Sequence, residues 1–236
     1  MIEATHLNHM GDDLTVVNAA KVSFAKKSEE FDDNSVRLIK YLAKHKHMSP
    51  FGHAFATFHV KAPIFVARQL VKHKFLRWNE VSRRYVDEEP ELYTPEVWRG
   101  RSADKKQGSE GSVDLTVIQA EGFLDEVRTY DFLKKNFPST NYFNSMQNSL
   151  ENHLEDLVGW YEDLIHLGVC PEQARMILPQ SMMTEWWWSG SLDAFSDMCN
   201  QRCKPDTQLE TRIVADKISD KMWELFPVSW SALKGY

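Results

Sequence analysis

The stretch Phe55-Ala56-Thr57-Phe58-His59-Val60 constrains the fold most, because its side chains alternate with the two-residue period of a half-buried strand. Ala62-Pro63 ends that run, and Pro63 suits the opening of a helix, where its fixed φ is already helical and its missing N–H is not needed. The spacing predicts a helix over 64–74, with Arg68-Gln69 and Lys72-His73 on neighbouring turns and Gln69, Lys72 and His73 pointing the same general way. Periodicity along the whole chain gives mixed helix and strand.

Elsewhere the pattern is of helices with marked ends. Asp33 or Asn34 can cap a helix that gathers Val36, Ile39, Leu42 and Ala43 on one face and ends before Pro50. Segment 14–24 mixes strand-like β-branched residues with a short alanine-rich turn. Residues 146–167 have helical spacing and stop at Gly168, and 170–179 form a short helix bounded by prolines. Segment 184–189 reads as a strand whose Trp186-Trp187-Trp188 serves the core or a subunit contact. A helix over 191–202 places Leu192, Phe195 and Met198 inside, and an amphipathic helix over 206–226 closes the chain. The polar, glycine-rich run at about 100–114 reads as a mobile loop or insertion, not as a linker, so 1–236 is expected to be one domain.

Apolar residues make up 42% and charged ones 26%, the balance of an ordinary globular protein. No apolar run is long enough to span a bilayer, and the first residues lack the apolar core of a signal peptide, so no membrane partner and a cytoplasmic location are expected. Cys170, Cys199 and Cys203 are an odd set without a secretion signal, so reduced thiols are expected. Cys199 and Cys203 lie four apart, but no histidine pair completes a four-ligand set, and no metal is assigned.

Against a net charge of −6, the block 72–85 concentrates Lys72, Lys74, Arg77, Arg83 and Arg84 together with His73. Such a local positive field suits a small anion in a pocket. Asn79, Glu80 and Ser82 add hydrogen-bonding groups that a plain basic patch does not require. A solvated, salt-bridged face, with Glu80 and Arg84 as an i,i+4 pair, is the plainer alternative. The loop 44–53 holds His45, His47 and His53 without an intervening carboxylate, which fits capping or packing better than a metal.

The order of residues in the basic block resembles the signature of the flavin-dependent thymidylate synthases: Arg-His-Arg, seven residues, Ser, then Arg-Tyr. Here it reads Lys72-His73-Lys74, seven residues, Ser82, then Arg84-Tyr85, with Asn79-Glu80 in the family's Asn-Glu place. The flanking arginines are lysines here, and Arg77 stands where the family usually has serine. Residues 47–53 resemble the His-x-Thr-Pro-Phe-Glu-His loop, with Gly52 replacing glutamate. The likeness extends through 58–69 and fades between 98 and 144.

The resemblance implies a single α/β domain of α+β type, with a mixed sheet flanked by helices, assembled as a homotetramer with shared sites. It implies a methyltransferase that converts dUMP to dTMP. Methylenetetrahydrofolate gives the carbon, FAD carries the reducing equivalents as a hydride, and NADPH re-reduces the flavin. Residue by residue, it carries Ser23, His47, Ser49, Lys72, His73, Lys74, Phe75 and Arg77 to the flavin. Gln69, Glu80, Ser82, Arg83, Arg84, Arg175 and Arg202 go to the substrate, with Arg202 and His47 nearest the chemistry. The family's flavin-facing Asn and Arg positions appear as Ser191, Asp193 and Asp197. A flavin-binding relative without catalysis is the first alternative. A nucleic-acid-binding protein stacking bases on Trp78 and Tyr85 is the second, and the chain's acidity argues against it.

Overall fold

The strand signalled at 55–60 runs from Phe55 to Pro63 (β2) and buries Ala56, Phe58, Val60 and Ala62 on one side, as its alternation requires. The computed structural model describes residues 1–86, 88–103, 108–113 and 146–235. These fall into two compact segments, one of Met1–Val81 with Met183–Tyr236 and one of Ser82–Met182.

In the first segment β2 pairs with β1 (Glu3–Met10) on one side and with β6 (Met183–Ser191) on the other. Strand β3 (Leu76–Glu80) adds to the far side of β6, giving the order β1-β2-β6-β3. The α+β class holds. The expected mixed sheet is corrected, since all pairings of these four strands are antiparallel.

Register places Phe58 opposite Trp188 and Trp188 opposite Trp78, so one sheet face carries an aromatic core. Trp78 stacks on Trp186 with centroids 4.3 Å apart, and Phe195 meets both Phe58 and Trp188 edge-on. The tryptophan run thus divides by strand period. Trp186 and Trp188 are buried, whereas Trp187 points to the other face and is 57% exposed. Gly190 lets β3 approach, because a Cβ there would collide with Leu76 Cδ2.

Helices of this segment pack on the aromatic face. Leu192–Arg202 buries Leu192, Phe195 and Met198 as its spacing predicts. Helix Asp33–Lys44 is capped by Asp32, one residue earlier than expected, whose carboxylate accepts from the Ser35 amide at 2.8 Å. Segment 14–24 is mostly helix, Asp13–Lys21, because Asp12 and Thr15 form a reciprocal capping box that outweighs the β-branched pair Val16-Val17. The closing helix is two helices, Leu209–Leu225 and Pro227–Lys234, since Pro227 excludes helical geometry at Phe226.

In the second segment, helix Met146–His166 ends at Gly168 in the left-handed region (φ 85°) and packs on the short helix Pro171–Ala174. Val158, Tyr161 and Ala174 are buried there. The run expected as a loop or insertion at about 100–114 carries parts of β4 (Trp98–Arg101) and β5 (Ser109–Val113), paired antiparallel. Its residues 104–107 and 114 lie outside the described ones.

Candidate active site

The helix that follows β2 is Ile64–Leu70, four residues shorter than the pattern predicts. The chain must reverse to place Leu76 opposite Gly190. It does so through a turn in which the His73 amide closes on the Leu70 carbonyl at 3.1 Å and Phe75 adopts φ 64°. Lys72 and His73 therefore belong to a turn and do not continue the face of Gln69. Lys72 and Lys74 are exposed, Phe75 is 83% exposed, and among the described residues neither ammonium is paired with a carboxylate.

His73 turns inward and meets the last residue of helix Leu192–Arg202. Arg202 Nε donates to His73 Nε2 at 3.0 Å, and Arg202 Nη2 donates to the Gln69 carbonyl at 3.4 Å. The bond requires an unprotonated Nε2, so the ring carries its proton on Nδ1. Burial, then the Arg202 charge, lowers the His73 pKa to about 4 from 6.5. Because the folded pKa is depressed, this imidazole's contribution to stability is whole above pH 6.5 and is lost as pH falls from 6.5 toward 4. His73→Gln, which keeps an acceptor for Arg202, is expected to flatten the fall of Tm with pH in that window. Equal slopes for parent and variant would contradict this.

Glu80, at the end of β3, accepts from Thr184 Oγ1 at 2.8 Å and from Trp78 Nε1 at 3.0 Å. Both oxygens are thereby oriented, and the helical i,i+4 pairing with Arg84 is excluded because Leu76–Glu80 is a strand. Trp78 lies in the aromatic core, which removes one of the two platforms that the nucleic-acid reading needs. Arg77 is opposite Ser189 on the face away from the helices and is exposed.

Ser23 sits exposed in the 3-10 turn Val22–Phe24, and the helix before it packs on the 3-10 turn Ser49–His53. His47 is held by its amide on the Leu42 carbonyl at 2.9 Å, and its ring stacks on Tyr41 with centroids 6.1 Å apart. The sequence offered no pointer to Tyr41. A Cβ at Gly52 would meet nothing within 4 Å, so the position has room for a side chain. Ser191 donates to Asp193 at 2.5 Å, and burial, with Asp193 nearby, pushes the Asp197 carboxyl up.

The second segment holds the remaining candidates. Arg84 Nε donates to Ser82 Oγ at 3.2 Å, and its guanidinium lies 5.0 Å from the Tyr85 centroid. Arg83 donates to the carbonyls of Glu88 and Glu89, so its side chain braces its own loop. Arg175 is exposed at the start of the 3-10 turn Arg175–Ile177. Among the described residues neither Arg84 nor Arg175 is paired with a carboxylate.

Of the thiols, Cys199 is buried and pushed up by burial, Cys203 is half-buried, and Cys170 is exposed. The Cys199 hydrogen bond lowers Cys203.

The chain matches the model of the Thy1 family, described as thymidylate synthase complementing protein, over residues 6–228. It is 34% identical over 228 residues to a flavin-dependent thymidylate synthase of Thermus thermophilus, covering 97% of this chain and 74% of that protein. The enzyme of the same name from Thermosipho melanesiensis is 34% identical over 220 residues, covering 92% and 84%. Among solved structures, the UMP/dUMP methylase PolB from Streptomyces cacaoi, bound with 5-Br dUMP, superposes with a TM-score of 0.79 at 26% identity. That match covers 100% of this chain and 96% of the other.

Proposed function

We propose that this chain, which belongs to the Thy1 family of thymidylate synthase complementing proteins, methylates dUMP at C5 to give dTMP. Methylenetetrahydrofolate is the carbon donor, and the reductant is FAD re-reduced by NADPH. The observation that carries the reading is the Arg202–His73–Gln69 cluster, a guanidinium without a carboxylate partner among the described residues, held by a neutral imidazole and a backbone carbonyl.

C5 of a uracil ring must give an electron pair to the incoming carbon, and it does so more readily as negative charge gathers on the ring carbonyl oxygen conjugated with it. Arg202 supplies a fixed positive charge and N–H donors for that oxygen. His73 strengthens the arrangement by accepting from Nε without bringing a second charge. Gln69 and Glu80 orient ring and sugar, Glu80 with its carboxylate already steered by Thr184 and Trp78. We assign the phosphate to Arg84, Arg175, Ser82 and the backbone amides near Ser82 and Arg83, since forked guanidinium donors match phosphate oxygens. Ser82 Oγ accepts from Arg84, which supports a binding role over a nucleophilic one.

The donor set at the 72–75 turn fits a flavin nucleotide: two exposed ammonium groups for the pyrophosphate beside the exposed Phe75 ring. Ser23, His47, Ser49, His73 and Arg77 complete the assigned cofactor residues. When bound, FAD supplies the reducing equivalents for the methyl group. Trp187 and Phe55, 57% and 40% exposed on the sheet face that the first segment's helices leave open, support self-association, which we assign as a homotetramer.

Flavin uptake tests the cofactor assignment. Apoprotein mixed with FAD is expected to retain a blue-absorbing chromophore through gel filtration. Protein that emerges colourless contradicts the reading.

A further inference from the structure

We propose that Gln208 is a positioning residue for the substrate site, fixing the side-chain amide of Gln69 so that its carbonyl oxygen is the end offered to the nucleotide. This rests on the dUMP reading above. A primary amide has an accepting end and a donating end, and an unrestrained one can turn either outward. Gln69 is not unrestrained. Its Nε2 donates to Gln208 Oε1 at 2.5 Å, and both side chains are half-buried. Its backbone carbonyl is held by Arg202 Nη2 at 3.4 Å. Among the described residues, Gln69 Oε1 takes no hydrogen bond from the protein.

Gln208 is itself anchored. It caps helix Leu209–Leu225, and its carbonyl accepts from the Arg212 amide at 2.9 Å. Glu210, Thr211 and Val214, in the first turns of that helix, are buried. The acceptor that holds Gln69 is therefore delivered from a packed helix end, 139 residues away in the chain. With one of the two Nε2 hydrogens of Gln69 held by Gln208, the amide keeps that end turned inward and offers its carbonyl oxygen, so the site accepts a hydrogen bond at this point. That matches a donor on dUMP, either the ring N3–H or the sugar 3′-hydroxyl, and rejects an acceptor such as N3 of a cytosine ring.

The test is calorimetric titration of dUMP into the FAD-loaded full chain, with steady-state kinetics alongside. Gln208→Glu still offers an acceptor and is expected to bind dUMP within about threefold of the parent. Gln208→Met and Gln208→Lys do not, and each is expected to weaken dUMP about tenfold, raising KM more than it lowers kcat. Simple attraction of the phosphate predicts the reverse order for Lys and Glu, so charge alone does not imitate the result. With the 3′-deoxy analogue of dUMP, a further loss in Gln208→Met locates the contact at N3–H, and no further loss locates it at the sugar. A parent that binds dUMP with Gln208→Met binding equally well, or Gln208→Lys binding better than Gln208→Glu, overturns the inference. A parent that takes up no dUMP overturns the functional reading beneath it.

Discussion

Arg202→Ala is expected to lower kcat for dUMP methylation by about 10²–10³-fold while the protein keeps its fold. The guanidinium ends helix Leu192–Arg202 and reaches His73 and Gln69 through separate N–H groups. Alanine removes the positive charge and leaves His73 Nε2 without its donor. Arg202→Lys restores charge but not the planar fork, so it recovers only part of the rate, with a remaining deficit of about tenfold or more. The core residues of that helix, Phe195 and Met198, are untouched, so Tm is expected to change little. Stopped turnover with intact flavin binding is the expected signature. Turnover within about threefold of the parent would remove Arg202 from the chemistry.

The largest effect on stability is expected at Asp13. Its buried carboxylate accepts from the amides of Val228 and Ser229, each at 2.9 Å, at the start of helix Pro227–Lys234. Pro227 has no N–H, so these two amides are early donors of that helix that need an acceptor, and Asp13 satisfies both. Asp13→Ala leaves two donors unpaired around buried Ser229 and Trp230 and is expected to cost about 3 kcal/mol. Asp13→Asn keeps one accepting oxygen and should cost about half as much. Urea unfolding checks both, and a loss below about 0.5 kcal/mol for Asp13→Ala would show that the helix end finds other partners.

What the sequence revealed and what it hid follow from the range of the interactions. The alternation of Phe55–Pro63 survived intact because a sheet with one packed face imposes a strict two-residue period. Strand Glu3–Met10 gave no such signal: it lies at the sheet edge, and a bulge between His6 and Asn8 breaks the period. The signature residues 72–85 were legible as a set, but the helix expected to carry Lys72 and His73 stops at Leu70. The register of Leu76 on Gly190, which forces the reversal, is set by a strand more than a hundred residues away. Gln208 and Asp13 were hidden for the same reason. Each acts on a partner 139 or more residues distant, and neither residue type at its place carries a local pattern. The basic block singles out His73 and resemblance gives it to the flavin, but its neutral state becomes visible only with Arg202 beside it.

The most direct test of the whole account is product formation by the FAD-loaded full chain given dUMP labelled with tritium at C5, methylenetetrahydrofolate and NADPH. The account predicts tritium release matched by dTMP, with both absent when the folate is omitted and both depressed in Arg202→Ala. A parent protein that binds FAD and dUMP yet forms no dTMP would contradict it and leave a nucleotide-binding relative without the reaction.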